Sequence, residues 1–268
     1  MSKSLSIVAA GAPAALLQAA SAILAKATGG AVKAAQVATA ESHAVVVGPE
    51  VPRGVVANVV RAPSSADAAY KGVDAVFVRA VLPRKDAESL QLRDALDVYP
   101  ASGINAAAEV EQAAAAFTKA AQVAAAQAKE LKQARVTLVT KPATKYKRLN
   151  ELFVRTATKT LEAAGLQVDQ STTAQVSNNL VMFPERVGVV LANDDPVSEN
   201  LSRAFAGITG GAHSTYYTAS GSKLSGGHSH KSIALALAAE LRGMGLTAEA
   251  SKLEAAAAKS PLNIEGAL

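Results

Sequence analysis

Short runs of Val, Ile and Leu alternate with longer helical stretches along this chain, and that alternation restricts it to an α/β layout. Six runs read as strands: Leu5–Ala9, His43–Val47, Val55–Val60, Ala75–Ala80, Val136–Thr140 and Val187–Leu191. Most are nearly continuous in apolar residues, the pattern of strands covered on both faces. Helices are expected over Ala14–Ala27, Ala106 to about Lys132, Tyr146–Ala164, Val197–Gly207, Ser232–Gly243 and Thr247–Lys259. Val110, Phe117 and Leu131 stand at multiples of seven on the long helix, and Lys129 and Lys132 suit the negative end of its dipole. Gly165 is placed to end one helix, Thr247 to cap another, and Pro261 to stop it. The Gly- and Ser-rich stretch Thr218–His230 reads as a loop.

The chain has 268 residues, enough for a real core, and reads as a single domain over 1–268. Within it, 1–105 is an N-terminal half, 106–134 an alanine-rich helix and 135–268 a C-terminal half. Half the residues are apolar but only 4% are aromatic, because alanine carries the count. Alanine favours helix and close helix packing, so buried area must come from Val, Ile and Leu. The net charge of +5 is spread among acids, unlike the basic stripe of a nucleic-acid binder. With no cysteine there is no disulfide, thiolate nucleophile or Cys-bound metal. Apolar runs of membrane-spanning length are absent from the sequence. Met1 to Lys33 carries basic residues and no acid, a transit-peptide composition, yet it also reads as the first strand and helix.

Several groupings invite chemistry, and each has a plainer reading. His228 and His230 offer two nitrogen ligands without an evident third, and read as a solvated loop. Lys141, Lys145, Lys147 and Arg148 could hold a phosphate, or form an exposed basic face. Gly210-Gly211 and Gly226-Gly227 form no dinucleotide fingerprint. Asn193-Asp194-Asp195-Pro196 reads as a strand end and helix cap before a metal loop. His213 and Ser214 lack a nucleophile-elbow motif.

From Arg135 onward three blocks stand in a recognisable order. "RVTLVTKPATKYKRLNELFVRTATKTLEAAG", "FPERVGVVLANDDPVSENLSRAFAGITGG" and "LALAAELRGMGLTAEASKLEAA" resemble the C-terminal half of the isocitrate/isopropylmalate dehydrogenase family. "LSIVAAGAPAALLQAASAILAKA" and "LRDALDVYP" are similar, more thinly, to its N-terminal half. The resemblance implies a three-layer α/β sandwich lacking most of the family's clasp insert.

It also implies chemistry that this chain has lost. The family oxidises and decarboxylates 2-hydroxy acids with NAD(P) and a divalent ion held by aspartates. Those aspartates align with Ser198 or Glu199 and with Arg203, and the third with Ala174, which has no side-chain oxygen. A guanidinium in the cage repels an ion. Asp169 is the nearest replacement carboxylate. Two substrate-binding positions fall near Ala87 and Ser89, Arg93 survives, and a second arginine position falls near Gly103. Lys141 survives as the family lysine. The segment bearing the family tyrosine is missing, since Asn105 passes almost directly into the long helix. The adenine loop is reduced to Ser220–His230.

The resemblance thus implies an inactive homologue with vestigial Lys141 and Arg93, no catalytic set, no metal and no cofactor. Family dimers pack helices together, so Thr173–Met182 and Val197–Gly207 are expected at an interface, through Val176, Leu180, Val197, Leu201 and Phe205. The expected role is an accessory subunit of a mitochondrial, matrix-side assembly, such as ATP synthase or a respiratory complex. Its partners would be other protein subunits, in a homo- or heterodimer, with peripheral contact to a membrane complex and no nucleic acid. The alternatives are a regulatory subunit of a heteromeric NAD-dependent isocitrate dehydrogenase and an enzyme of altered chemistry.

Overall fold

The computed structural model describes residues 3–37, 43–52, 54–63, 74–82, 106–140, 147–194, 196–208, 214–260 and 263–268. In chain order the first elements are β1 (Lys3–Ala9), α1 (Ala14–Thr28), β2 (Val32–Val37), β3 (Ala44–Val47), β4 (Val55–Pro63), β5 (Asp74–Ala80), α2 (Ala106–Glu130) and β6 (Arg135–Thr140). Next come α3 (Lys147–Ala163), β7 (Gln167–Thr172), α4 (Thr173–Met182), a 3-10 turn (Pro184–Arg186), β8 (Val189–Ala192) and α5 (Pro196–Ile208). The chain closes with β9 (Ser214–Thr218), β10 (Lys223–Gly227), α6 (His230–Gly243), α7 (Thr247–Lys259) and α8 (Ile264–Ala267). The fold is mixed α/β.

The chain forms two compact units that do not follow its halves. One comprises Met1–Pro52, Thr209–Tyr217 and Gly221–Leu268; the other comprises Arg53–Ile208 and Thr218–Ser220.

In the first unit the strand order is β2-β1-β3-β10-β9. β1 runs parallel to β2 and β3, β10 runs parallel to β3, and β9 is antiparallel to β10. β3 is apolar throughout and wholly buried. Its core joins Leu5, Ile7 and Val45 of the strands to Ile23 and Leu24 of α1, Ile233, Leu237 and Leu241 of α6, and Leu253 of α7. Helix α6 starts with a reciprocal cap between Ser229 and Ser232. Helix α7 starts at Thr247 as expected, but its N-cap is Leu246 and no side chain caps it, so the Thr247 cap is corrected.

In the second unit the order is β4-β5-β8-β6-β7. β4 and β5 are antiparallel; β5, β8, β6 and β7 are parallel to their neighbours. Phe77 of β5 meets Phe205 of α5 with ring centroids 5.0 Å apart, so that strand face is covered by α5. Side chains alternate across a strand, so Val76 and Val78 point the other way, and both are fully buried. The long helix α2 packs on β4, β5, β6 and β8, and meets α3 through an edge-on Phe117–Phe153 pair 5.2 Å apart. Its buried alanines, among them Ala113, Ala120, Ala124 and Ala128, let that helix lie close to the sheet. No helix among the described residues is long and apolar enough to cross a membrane.

All six expected strands and all six expected helices form, with ends shifted by a few residues. Four further strands carry no expectation from the sequence. β2 and β7 are edge strands: β2 (VKAAQV) buries only Val32 and exposes its two alanines, and β7 (QVDQST) has one apolar residue. β9 leads into the Gly- and Ser-rich stretch, and β10 lies within it and corrects the loop expected over Thr218–His230.

Candidate functional site

A charged side chain stands inside the apolar run of β5. Arg79 is 3% exposed, and a buried guanidinium needs a counter-charge to be tolerated. Its Nη1 lies 3.3 Å from Oε2 of Glu199, in the first turn of α5. The other carboxylate oxygen accepts a bond from Arg203 Nη2 at 2.8 Å, one helical turn further along. Glu199 is thus clamped between two guanidiniums. Burial alone would raise its carboxyl pKa, but the charges of Arg79 and Arg203 outweigh that and hold it below the ordinary carboxylate value.

Polar groups continue around this clamp. Asn58 of β4 is the cross-strand partner of Arg79, so the two share one face of the sheet, and Asn58 is 5% exposed. Among the described residues, Asn58 Nδ2 and Arg79 Nε find no hydrogen-bond acceptor. Asn193 and Asp194 leave the carboxyl end of β8, both buried, and Asp194 Oδ2 accepts the Leu82 backbone N–H at 3.2 Å. Ser198 and Ser202 of α5 are also buried, with Ser202 Oγ donating to the Glu199 carbonyl. Asp194 therefore fixes the backbone after β5, as a strand-end role requires.

The remaining positions are scattered. Ala174 is exposed in the first turn of α4, whose cap is a reciprocal Thr172–Gln175 pair. Asp169 lies on β7 and is paired with Arg135 of β6 at 3.1 Å, exposed on both sides. His228 and His230 flank the Ser229 cap. Arg148 is exposed near the start of α3. Ser214 begins β9 and pairs with Gly226. Arg93, Ala87, Ser89, Gly103, Asn105, Lys141, Lys145, Gly210, Gly211, His213, Asp195 and Pro261 lie outside the described residues.

These residues do not fit a divalent ion. Of the positions aligned with the cage, Glu199 has both oxygens committed to cations, Arg203 is itself a cation and Ala174 has no donor. Among the described residues no three His, Asp or Glu side chains converge for a metal. The remnant of the adenine loop does not fit a dinucleotide either. Gly226 and Gly227 sit in β10, paired with Val46 and Val47. A Cβ on Gly226 would come within 2.7 Å of the Tyr216 ring, and one on Gly227 within 2.5 Å of Ser232. These glycines serve close packing within the protein and cradle no phosphate.

Of the five residues expected at an interface, Val176, Leu180, Leu201 and Phe205 are buried within their own unit. Val197 is 41% exposed. The other large apolar side chains at the surface, among the described residues, are Val181, Met182 and Phe183 at the end of α4. Arg186 stands 4.6 Å over the Phe183 ring. Val181 and Met182 lie within the Thr173–Met182 segment expected at an interface, but the residues named there were Val176 and Leu180, whose spacing marks the buried side of the helix. Sequence reading missed Arg79 although one signal was available: a lone arginine within VFVRAV demands a partner.

Comparison with solved structures places this architecture. The fold is similar to that of isocitrate dehydrogenase. The enzyme from Methylococcus capsulatus superposes with a TM-score of 0.62 at 17% identity, over 99% of this chain and 91% of that one. A chain in the structure of the Euglena gracilis mitochondrial ATP synthase peripheral stalk superposes with a TM-score of 0.72 at 19% identity, over 96% of this chain and 90% of that one. No protein-family profile matches the sequence, and no curated protein matches it. At these identities the likeness is one of fold.

Proposed function

We propose that this chain is a non-catalytic structural subunit of a larger protein assembly, built on a dehydrogenase fold. The observation that carries the reading is the clamp on Glu199. Two arginines occupy Glu199, which with Ser198 is one of the two residues that the resemblance aligns with a metal ligand, and one of those arginines, Arg203, stands at a second ligand position. A site of that charge has no use for Mg²⁺ or Mn²⁺, and removing even one positioned electrostatic group costs about 10²–10³ in rate. With isocitrate or isopropylmalate, NAD(P) and either ion, the purified protein should show no turnover above background. Measurable turnover refutes this part of the reading.

The assembly is proposed to be the peripheral stalk of a mitochondrial ATP synthase, on the matrix side. The fold likeness to a chain from such a stalk supports this, as do the adjacent exposed apolar side chains Val181, Met182 and Phe183, which suit a protein partner. Native electrophoresis and cross-linking of the endogenous protein should find it with synthase subunits. Migration as a free small oligomer overturns the assignment.

The likeness to isocitrate dehydrogenase favours a second reading, a regulatory subunit of a heteromeric NAD-dependent enzyme. Calorimetry with citrate, ADP and NAD separates the two, since only a regulatory subunit binds them, with Arg93 and Lys141 as the contacts to mutate.

A further inference from the structure

β7 is the last strand of its unit's sheet, and its outer edge is open. Gln167 N–H donates to the Ala134 carbonyl at 2.9 Å, so Gln167 turns its backbone groups towards β6. Backbone groups alternate in direction along a strand, which turns Asp169 and Ser171 the same way and Val168, Gln170 and Thr172 outwards. The outward Thr172 N–H is closed by Gln175 Oε1 at 2.8 Å. The N–H and C=O groups of Val168 and Gln170 find no partner among the described residues. Proteins commonly guard such an edge with proline or a bulge, and β7 has neither: its six residues pair with β6 in unbroken register.

A groove of about 420 Å³ lies beside that edge, between α3 and the sheet. Gln170 and Thr172 line it from β7, and Val154 lines it from α3. Asp169 points to the opposite face, where its Oδ2 meets Arg135 Nη1 at 3.1 Å and its side chain stays half exposed. Among the described residues Asp169 Oδ1 has no partner. Open backbone groups with a side-chain groove on one face are the parts by which a sheet captures an extended peptide.

What fits this edge is another strand, and Asp169 decides which. In an antiparallel strand added to β7, Val168 and Gln170 exchange hydrogen bonds, and Asp169 faces its opposite number in the closer, non-bonded pair. A second copy of β7 set with Val168 against Gln170 would bring two Asp169 carboxylates together there, which is repulsive. A lysine or arginine at that place instead pairs with the open Oδ1. Its two neighbours turn to the α3 face, one of them at the mouth of the groove beside Val154. We propose that the outer edge of β7 takes an extended segment of a different protein as an added antiparallel strand, with a basic residue opposite Asp169 and aliphatic residues on either side of it. This names a contact for the subunit proposed above and rests on that reading.

The test is fluorescence anisotropy and amide-resonance mapping on the full chain, with a labelled, end-blocked peptide Thr-Val-Thr-Val-Lys-Val-Thr-Val. The expected result is saturable binding with shifts concentrated in β7 and α3. The same peptide carrying glutamate in place of lysine should bind about fivefold more weakly. Gln170→Pro removes an outward N–H without touching the ladder to β6, and should weaken binding about tenfold or more. Asp169→Lys is the second arm, which decides the matter even if the proline variant melts early: it should reverse the preference, taking the glutamate peptide over the lysine one. The inference is overturned by no binding of the lysine peptide, by equal binding of the two peptides, by shifts centred elsewhere, or by an Asp169→Lys chain that keeps the original preference. Dimers of the chain alone that dissociate in Gln170→Pro would give the edge to a second copy and overturn it too. Free migration of the endogenous protein strikes the assembly, whereas these titrations read the edge alone, so the two failures are told apart.

Discussion

Arg79 and Glu199 meet at 3.3 Å across the interface between a buried strand and the first turn of a helix, one of them fully sheltered and the other a third exposed. Removing the carboxylate strands a guanidinium that has nowhere to be solvated. Glu199→Gln should therefore destabilise the chain by about 1–3 kcal/mol, below the full cost of breaking a buried pair because water reaches Glu199. Replacing both partners with apolar residues, Arg79→Met with Glu199→Leu, should recover most of that loss. Denaturant melts of Glu199→Gln, and of Arg79→Met, Glu199→Leu and their double variant, check this. A purely additive cycle would mean that the pair carries no coupling.

The same clamp sets a pH dependence. Glu199 ionises more readily in the folded chain than in the unfolded one, whose carboxyl keeps its ordinary value of 4.5. The folded state therefore binds fewer protons in the acid range. Its stabilisation is complete above that ordinary value and is lost as pH falls through the lower folded value. Melting temperatures measured from neutral pH down into the acid range should fall more steeply for the natural chain than for Glu199→Gln. Parallel curves would contradict this origin.

Much of this architecture could be read from residue order alone, for a physical reason. Strands such as Ala75–Ala80 and helices such as Ala14–Thr28 bury one or both faces, and burial writes a period into the sequence. β7, with its Gln, Asp and Ser, is an edge strand held by backbone pairing to β6, and edge strands need no such pattern. β10 owes its place to Gly226 and Gly227, whose lack of side chains admits Tyr216 and Ser232. In a linear reading that same feature looks like a loop. At the candidate site, Arg203 and one of Ser198 or Glu199 were legible because they align with the family's cage. The contact of Glu199 with Arg79 was not, since the two residues stand 120 positions apart and the parallel β5–β8 pairing brings α5 over β5. The interface expectation met the same limit: apolar periodicity in α4 and α5 marks what is buried, and Val176, Leu180, Leu201 and Phe205 are spent on the unit's own core.

The glycine pair of β10 gives a packing prediction. A methyl group on Gly227 would stand 2.5 Å from Ser232, which holds the reciprocal cap at the start of α6. Either the cap or the strand must shift, so Gly227→Ala should cost about 1–3 kcal/mol. Ala at the exposed Gly30 would also be strained, through its positive φ of 80°, but meets no neighbouring atom. Chemical denaturation of Gly227→Ala reports the cost, and an unchanged midpoint would show that β10 and α6 are not in close contact.

The exposed triplet at the end of α4 provides the sharpest test of the docking role. Val181 and Met182 are more than half exposed, so charge placed on them buries nothing in the isolated chain. Val181→Glu with Met182→Glu should leave stability within about 0.5 kcal/mol of the natural chain, as surface changes usually do. If the face is covered by a partner, the same two carboxylates must be desolvated against an apolar surface, and association should weaken at least a hundredfold, on the order of 3 kcal/mol or more. Co-purification of the variant with its native assembly, compared with that of the natural chain, measures this. The contrast matters more than either number: a variant that melts like the natural protein yet no longer enters the assembly identifies the face as an interface. One that still enters it moves the docking surface elsewhere on the chain.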